Sequence, residues 1–237
     1  MKKLSLLTAF VASVTLFSSC LKGEDPEPVA AGGMTFINSF IEAQGLYYLI
    51  DRNPISNVYP LAYGEPGYVN FYARPDRRFE VYSSYEDARL VDTLITVVDS
   101  VYYSSFLFGT HDDPRHFITE DRIPEGTDDP AAIAAVRFFN LANTPKRATL
   151  RIGDAEPLPA FTNRPLETPA TGKAGEAFVP VATGEFTISV VDENGETIAA
   201  RPGTVQLVPG TYTSIFLMGD ERDESTFYVG VYRNWVN

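Results

Sequence analysis

Hydrophobic positions in this chain recur at every second residue rather than every third or fourth. Phe79 and Val81 keep that period, as do Phe186, Ile188 and Val190. Tyr102, Ser104, Phe106 and Phe108 share one side of their segment, and Tyr212, Ser214, Phe216 and Met218 share one side of theirs. A period of two places side chains on one face of a strand. Turn formers stand between these segments: Asp51 to Pro54, Arg74-Pro75-Asp76, Asp192 to Gly195, and Pro209-Gly210. Asn194-Gly195 suits a tight hairpin, because both residues tolerate positive φ. No long stretch carries a helical period, and the pattern predicts an all-β fold.

The pattern also comes twice. YYSSFLFG at Tyr102–Gly109 returns as YTSIFLMG at Tyr212–Gly219. Around that pair, Met34 to Asn38 matches Val136 to Asn140, and Asp51 to Ile55 matches Asp154 to Leu158. Arg78 to Tyr82 matches Glu185 to Ser189, and His116 to Thr119 matches Thr226 to Val229. The order is the same in both halves, which points to duplication. Short strands with close turns, in modules of roughly 90 to 105 residues, predict two tandem immunoglobulin-like antiparallel β-sandwich modules. Their expected bounds are 34–122 and 130–237, joined by a linker at 123–129. Tyr212 follows a Pro-Gly turn and opens a late strand, where such sandwiches place a tyrosine corner bonded back to the preceding connection, and Tyr102 matches it.

The N-terminus reads differently. Lys2 and Lys3 precede an apolar stretch, Leu4 to Phe17, too short for a membrane span and ending in small residues. Residues 1–19 are therefore expected to be a signal peptide. Cys20 is the only cysteine of the 237 residues, so no internal disulfide or cysteine-based metal site is expected. Leu16-Phe17-Ser18-Ser19-Cys20 resembles a bacterial lipobox, which implies lipid attachment at Cys20 and an outer-membrane anchor, periplasmic or surface-exposed. The charged, Pro- and Gly-rich residues after it, to position 33, read as a flexible acidic tether. A net charge of −12 with no basic cluster argues against nucleic acid as a partner.

FINSF or RFFNLA, then an Asp-Pro turn, then GTYTSIFLMGD and a closing strand, together resemble domain of unknown function 4397, found in tandem in secreted and lipid-anchored bacterial proteins. The resemblance spans nearly the whole mature chain. It implies an extracellular β-sandwich without established chemistry, and it assigns no functional residues.

Candidate chemistry is sparse. His111 to His116 holds both histidines and two carboxylates, but it reads as the polar loop after a strand, and no metal or cofactor is expected there. Asp128-Asp129 and Asp192 to Glu196 lack the alternating oxygen ligands of a calcium loop and read as turns. No Gly-x-Ser-x-Gly elbow occurs and no carboxylate pair stands out, so the expectation is a protein without catalysis. Ten of the 13 tyrosines lie between Tyr47 and Tyr103, and Tyr59, Tyr63, Tyr68 and Tyr72 fall in a stretch with poor alternation that reads as a loop. Exposed rings there could contact a protein or a sugar, since each joins an apolar face to a polar tip. Two functions stay open: an adhesion or scaffold module, and a glycan-binding accessory to nutrient capture.

Overall fold

A computed structural model describes residues 29–43, 45–55, 60–84 and 88–236. Cys20 and Tyr59 lie outside these residues. The first half holds β1 (Ala31–Phe40), β2 (Leu46–Ile50), β3 (Asn53–Pro54), β4 (Pro66–Tyr72), β5 (Arg74–Ser83), β6 (Arg89–Val97), β7 (Tyr102–Gly109) and β8 (Pro114–Glu120). The second holds β9 (Ala134–Asn140), β10 (Thr149–Ile152), β11 (Val179–Val181), β12 (Gly184–Phe186), β13 (Ile188–Val191), β14 (Thr197–Ala200), β15 (Val205–Leu207), β16 (Thr211–Met218) and β17 (Tyr228–Asn234). A six-residue helix, α1 (Pro169–Ala174), interrupts the second half. The protein is an all-β sandwich fold.

Among the described residues, every strand pair lies within one half. The first half forms sheets β4-β1-β7-β8 and β3-β2-β5-β6. The second forms β11-β9-β16-β17, with β10-β13-β14 and β12-β15 opposite. The expectation of wholly antiparallel sheets needs correction at the centre of each principal sheet: β1 runs parallel to β7, and β9 runs parallel to β16. A parallel pair requires a crossover rather than a hairpin. The chain supplies it by visiting the opposite sheet between the two strands.

Buried asparagines show the duplication at atomic detail. Asn38 Nδ2 donates to the Leu61 carbonyl at 2.8 Å while its Oδ1 accepts from the Phe40 N–H. Asn140 repeats both contacts, to the Arg164 carbonyl and from the Ala142 N–H. Each amide ties the end of its strand to an incoming loop and satisfies backbone groups that would otherwise be buried unpaired.

The central strands are buried on both faces, and this is what joins the modules. Met34, Phe36 and Phe40 of β1 face their own module's core with Tyr48, Phe79 and Leu107, while Val136 and Phe138 of β9 pack inside the second module with Leu150, Val190 and Ile215. The alternate residues meet across the boundary, where Ile37, Phe106, Phe108 and Phe117 pack with Phe139, Leu141, Phe216 and Met218. Phe106 lies 5.0 Å from Phe117 and from Phe139, centroid to centroid. The face shared by Ser104, Phe106 and Phe108 thus meets the face shared by Ser214, Phe216 and Met218. The repeated octapeptide builds both sides of one seam. Each fully buried phenylalanine contributes about 1.5 to 3 kcal/mol there.

Glycines allow the closest approaches. Gly230 lies opposite Phe216 in the β16/β17 register, and a Cβ on it would fall 2.1 Å from that ring. At the equivalent place the first module has Phe117, over which α1 lays Gly172. Thr168 caps this helix and Pro169 opens it, and at six residues it is too short to show a helical period in the sequence. Module two therefore reaches over β8 of module one. Arg115 Nη1 donates to the Glu167 carbonyl and the Glu120 N–H donates to Glu176 Oε2 as part of that contact.

Candidate functional site

The seam has a buried polar centre and an aromatic end. At the centre, Arg137 of β9 extends from module two and Asp121 follows β8 of module one. Arg137 Nη2 donates to Asp121 Oδ1, its Nε donates to Ser214 Oγ, and its Nη1 donates to the Glu176 carbonyl. Its guanidinium carbon sits 4.4 Å from the centre of the Phe178 ring. Asp121 also accepts from Ser104, Thr119 and Asn234. Burial pushes the Arg137 guanidinium below its ordinary value while Asp121 pulls it back. With the arginine nitrogens and both carboxylate oxygens engaged, this cluster is a structural lock.

The strand registers also equate Asp121 with Asn234, and Arg137 with Thr35. The expected match of His116–Thr119 to Thr226–Val229 is therefore off by three residues, because module two carries a longer loop between β16 and β17.

Toward the β4/β17 side the seam is a row of tyrosines. Tyr63 packs edge-on to Tyr228 at 6.1 Å, and its hydroxyl donates to the Thr226 carbonyl at 2.7 Å. Burial raises its phenol, and its hydroxyl is committed to holding the modules together. Tyr232 likewise meets Thr35 across the seam.

Residues 66–72 are not the expected loop. They form β4, the edge strand paired to β1, with Tyr68, Asn70 and Tyr72 alternating on one face and exposed. The pattern was obscured because Gly67 and Val69, on the other face, are only half-buried. Tyr68 donates to Asn70 Oδ1 at 2.8 Å. Burial, with the Tyr102 and Tyr232 hydroxyls nearby, raises the Tyr68 phenol above its ordinary value.

Beside this strand opens a cleft of about 410 Å³ lined by Ala31, Gly33, Asn70, Ser100 and Tyr102 of the first module and Val236 of the second. Residues 31–33, expected in the tether, are the first turn of pleat in β1, and their glycines answer to packing. A Cβ on Gly33 would meet the Tyr68 hydroxyl at 2.5 Å and the Tyr102 ring at 2.7 Å. Only glycine lets the two tyrosines close over the strand. Tyr72 stands at the exposed end, 69% accessible, opposite Ala31 in the register.

The expected tyrosine corner takes another form. Tyr212 hydroxyl donates to the Pro130 carbonyl, at the entry to module two, rather than to its own preceding connection. In module one the bond back to the connection belongs to Tyr103, whose hydroxyl accepts from the Val98 N–H. The inward face of β7 there carries a second tyrosine that does the work expected of Tyr102.

The two histidines point apart. His111 lies in the turn after β7, where its backbone N–H and ring both contact Glu42. His116 is in β8 rather than a loop, bonded to Ser105 Oγ at 2.9 Å and stacked on Phe79. Its burial lowers its pKa to about 4. Among the described residues, no group of three or more His, Cys, Asp or Glu side chains is placed to hold a metal ion. Asp192 Oδ1 accepts from the Asn194 and Glu196 N–H groups as the hinge of a hairpin. Among the described residues no helix is long and apolar enough to cross a membrane.

No protein-family model matches the sequence, and no curated protein matches it. Among solved structures, a family 26 carbohydrate-binding module of Amy13K from Eubacterium rectale, in complex with maltoheptaose, aligns with 86% of this chain and 97% of its own at 10% identity and a TM-score of 0.23. A score that low does not make the two topologies equivalent.

Proposed function

We propose that this chain is a non-catalytic, lipid-anchored binding protein of the bacterial envelope. It displays two fused sandwiches as one stiff arm and engages a macromolecular partner at the aromatic end of their seam. One observation carries the reading: the cleft beside Tyr68 and Tyr72 takes its lining from both modules, with Tyr102 from one and Val236 from the other, so docking the modules creates it. Exposed tyrosines beside a preformed cleft are the kind of surface that anchors a partner with little loss of side-chain entropy. The lipobox at Cys20 and the resemblance to domain of unknown function 4397 support display at the outer membrane. Adhesion or scaffolding is the role such an arm serves.

The test is site-specific photo-crosslinking on intact cells. A photoreactive side chain at Tyr72 should capture a surface partner, while one at Tyr47, exposed on the other sheet of module one, should not. Equal yields at both positions, or none at Tyr72, would contradict the reading.

A further inference from the structure

From the same cleft, and resting on the reading just given, we infer that the ligand is a neutral oligosaccharide, its sugar rings laid against Tyr72 and Tyr102 and its hydroxyls held by Asn70 and Tyr68.

Charge excludes the alternatives first. Ala31, Gly33, Asn70, Ser100, Tyr102 and Val236 line the cleft, and none is an Asp, Glu, His, Lys or Arg. The Tyr68 phenol stays protonated well above neutrality because burial raises it. An anionic ligand, whether phosphate, sulfate or uronate, would be held by Arg or Lys in a built site, and the lining offers neither. A cationic ligand would need a carboxylate. The lining offers none, and the nearby Asp99 is turned to the backbone, its Oδ1 accepting from the Ala31 N–H at 2.9 Å.

The polar groups that remain are neutral and partly fixed. Tyr68 holds Asn70 through Oδ1, which leaves the Asn70 amide NH2 to donate. Both side chains are set by this bond before a ligand arrives, so little ordering is left to oppose binding. Aromatic faces supply the apolar contact, and about 410 Å³ lies within the range of small-ligand sites. Rings with one apolar face and a rim of uncharged hydroxyls match this combination of aromatic walls, amide and phenol. Polyols without a ring lack the flat face, and apolar ligands would offer the Asn70 amide NH2 no acceptor.

Gly33 ties the site to the fold. Its missing side chain lets Tyr68 and Tyr102 close over β1, and Val236 lines the cleft two residues after Asn234, which donates to Asp121 in the seam.

The experiment is calorimetric titration of the full-length, lipidated protein in detergent with maltohexaose, cellohexaose, xylohexaose and mannohexaose, and with hexagalacturonate as the charged comparison. At least one neutral series should bind saturably, with hexagalacturonate weaker by tenfold or more. Tyr72→Ala and Asn70→Ala should each weaken binding about tenfold, while Tyr47→Ala should not change it. Tyr72 and Asn70 are exposed, so both variants should keep the parent's circular dichroism and melting temperature. Absence of binding by every neutral series, or an unchanged affinity in Tyr72→Ala, would overturn the inference. A protein adduct captured at Tyr72 without any sugar binding would overturn the sugar and leave the binding reading standing. Neither adduct nor sugar binding would overturn both.

Discussion

Arg137 Nη2 donates to Asp121 Oδ1 at 2.7 Å, both side chains 1% exposed, and the two residues belong to different modules. Removing two charges from water is costly, and the attraction between them recovers that cost only when the remaining hydrogen-bonding groups are met. Here Ser104, Thr119, Ser214 and Asn234 meet them. The duplication makes the pair informative. At the equivalent places of the opposite copies stand Thr35 and Asn234, which are uncharged. The ionic pair is therefore not repeated: Thr35 instead meets the Tyr232 hydroxyl, and Asn234 joins the Asp121 cluster itself.

Gly230→Ala should destabilise the protein by about 1 to 3 kcal/mol, because the new methyl falls onto the Phe216 ring. Pairing it with Phe216→Leu should recover part of the loss. Urea denaturation of the two variants checks this, and a neutral Gly230→Ala would mean that Phe216 does not pack against β17.

A cut in the linker should not separate the halves. Glu125 and Gly126 are exposed, and Gly126 sits at φ +76° with open space around it, so a glutamate-specific protease should cleave after Glu125. Denaturing electrophoresis should then show two fragments while native gel filtration shows one species, because the phenylalanine seam persists. Fragments that elute apart would show that the seam is too weak to hold them.

His116 sets a pH dependence with a definite sign. Its pKa is lowered from 6.5 to about 4 by burial in the folded chain. Between those values the unfolded chain binds more protons than the folded one, so stability rises with pH across the window and is lost as pH falls from about 6.5 toward 4. The loss amounts to at most about 3 kcal/mol. His116→Gln, which keeps a partner for Ser105, should flatten the change in urea midpoint between about pH 7 and pH 4.5. The same change in the parent and the variant would remove His116 as its source.

Cys20→Ala should move the protein from the membrane fraction to the soluble envelope fraction. Retention in the membrane fraction would rule out lipid anchoring through that residue.

Strand periodicity, the turns and the duplication were legible because each is local: Asn38 and Asn140 do the same work in strands that already read alike. Which side of Tyr102–Gly109 faces the module core was not legible. Phe106 and Leu107 are both fully buried, one in the seam and one inside, so alternation between apolar residues carries no sign of inside or outside. The partnership of Asp121 with Arg137 was hidden for another reason, since a loop three residues longer in module two displaced the apparent repeat. At the candidate site, Tyr68 and Tyr72 were visible as an excess of tyrosine. Asn70 and Gly33 were not, because an asparagine between tyrosines reads as a turn former and a glycine pair after a proline-rich segment reads as tether.

The docked seam is tested most directly by a double-mutant cycle on Arg137 and Asp121 in the intact chain. Arg137→Met alone should cost about 3 to 5 kcal/mol, since it leaves a buried carboxylate without its charge partner. Adding Asp121→Asn, the residue its counterpart already carries at 234, should recover much of that loss and give a coupling energy of about 1 kcal/mol or more. A coupling energy near zero, with both single variants close to the parent, would mean that the two modules do not meet through this pair in solution.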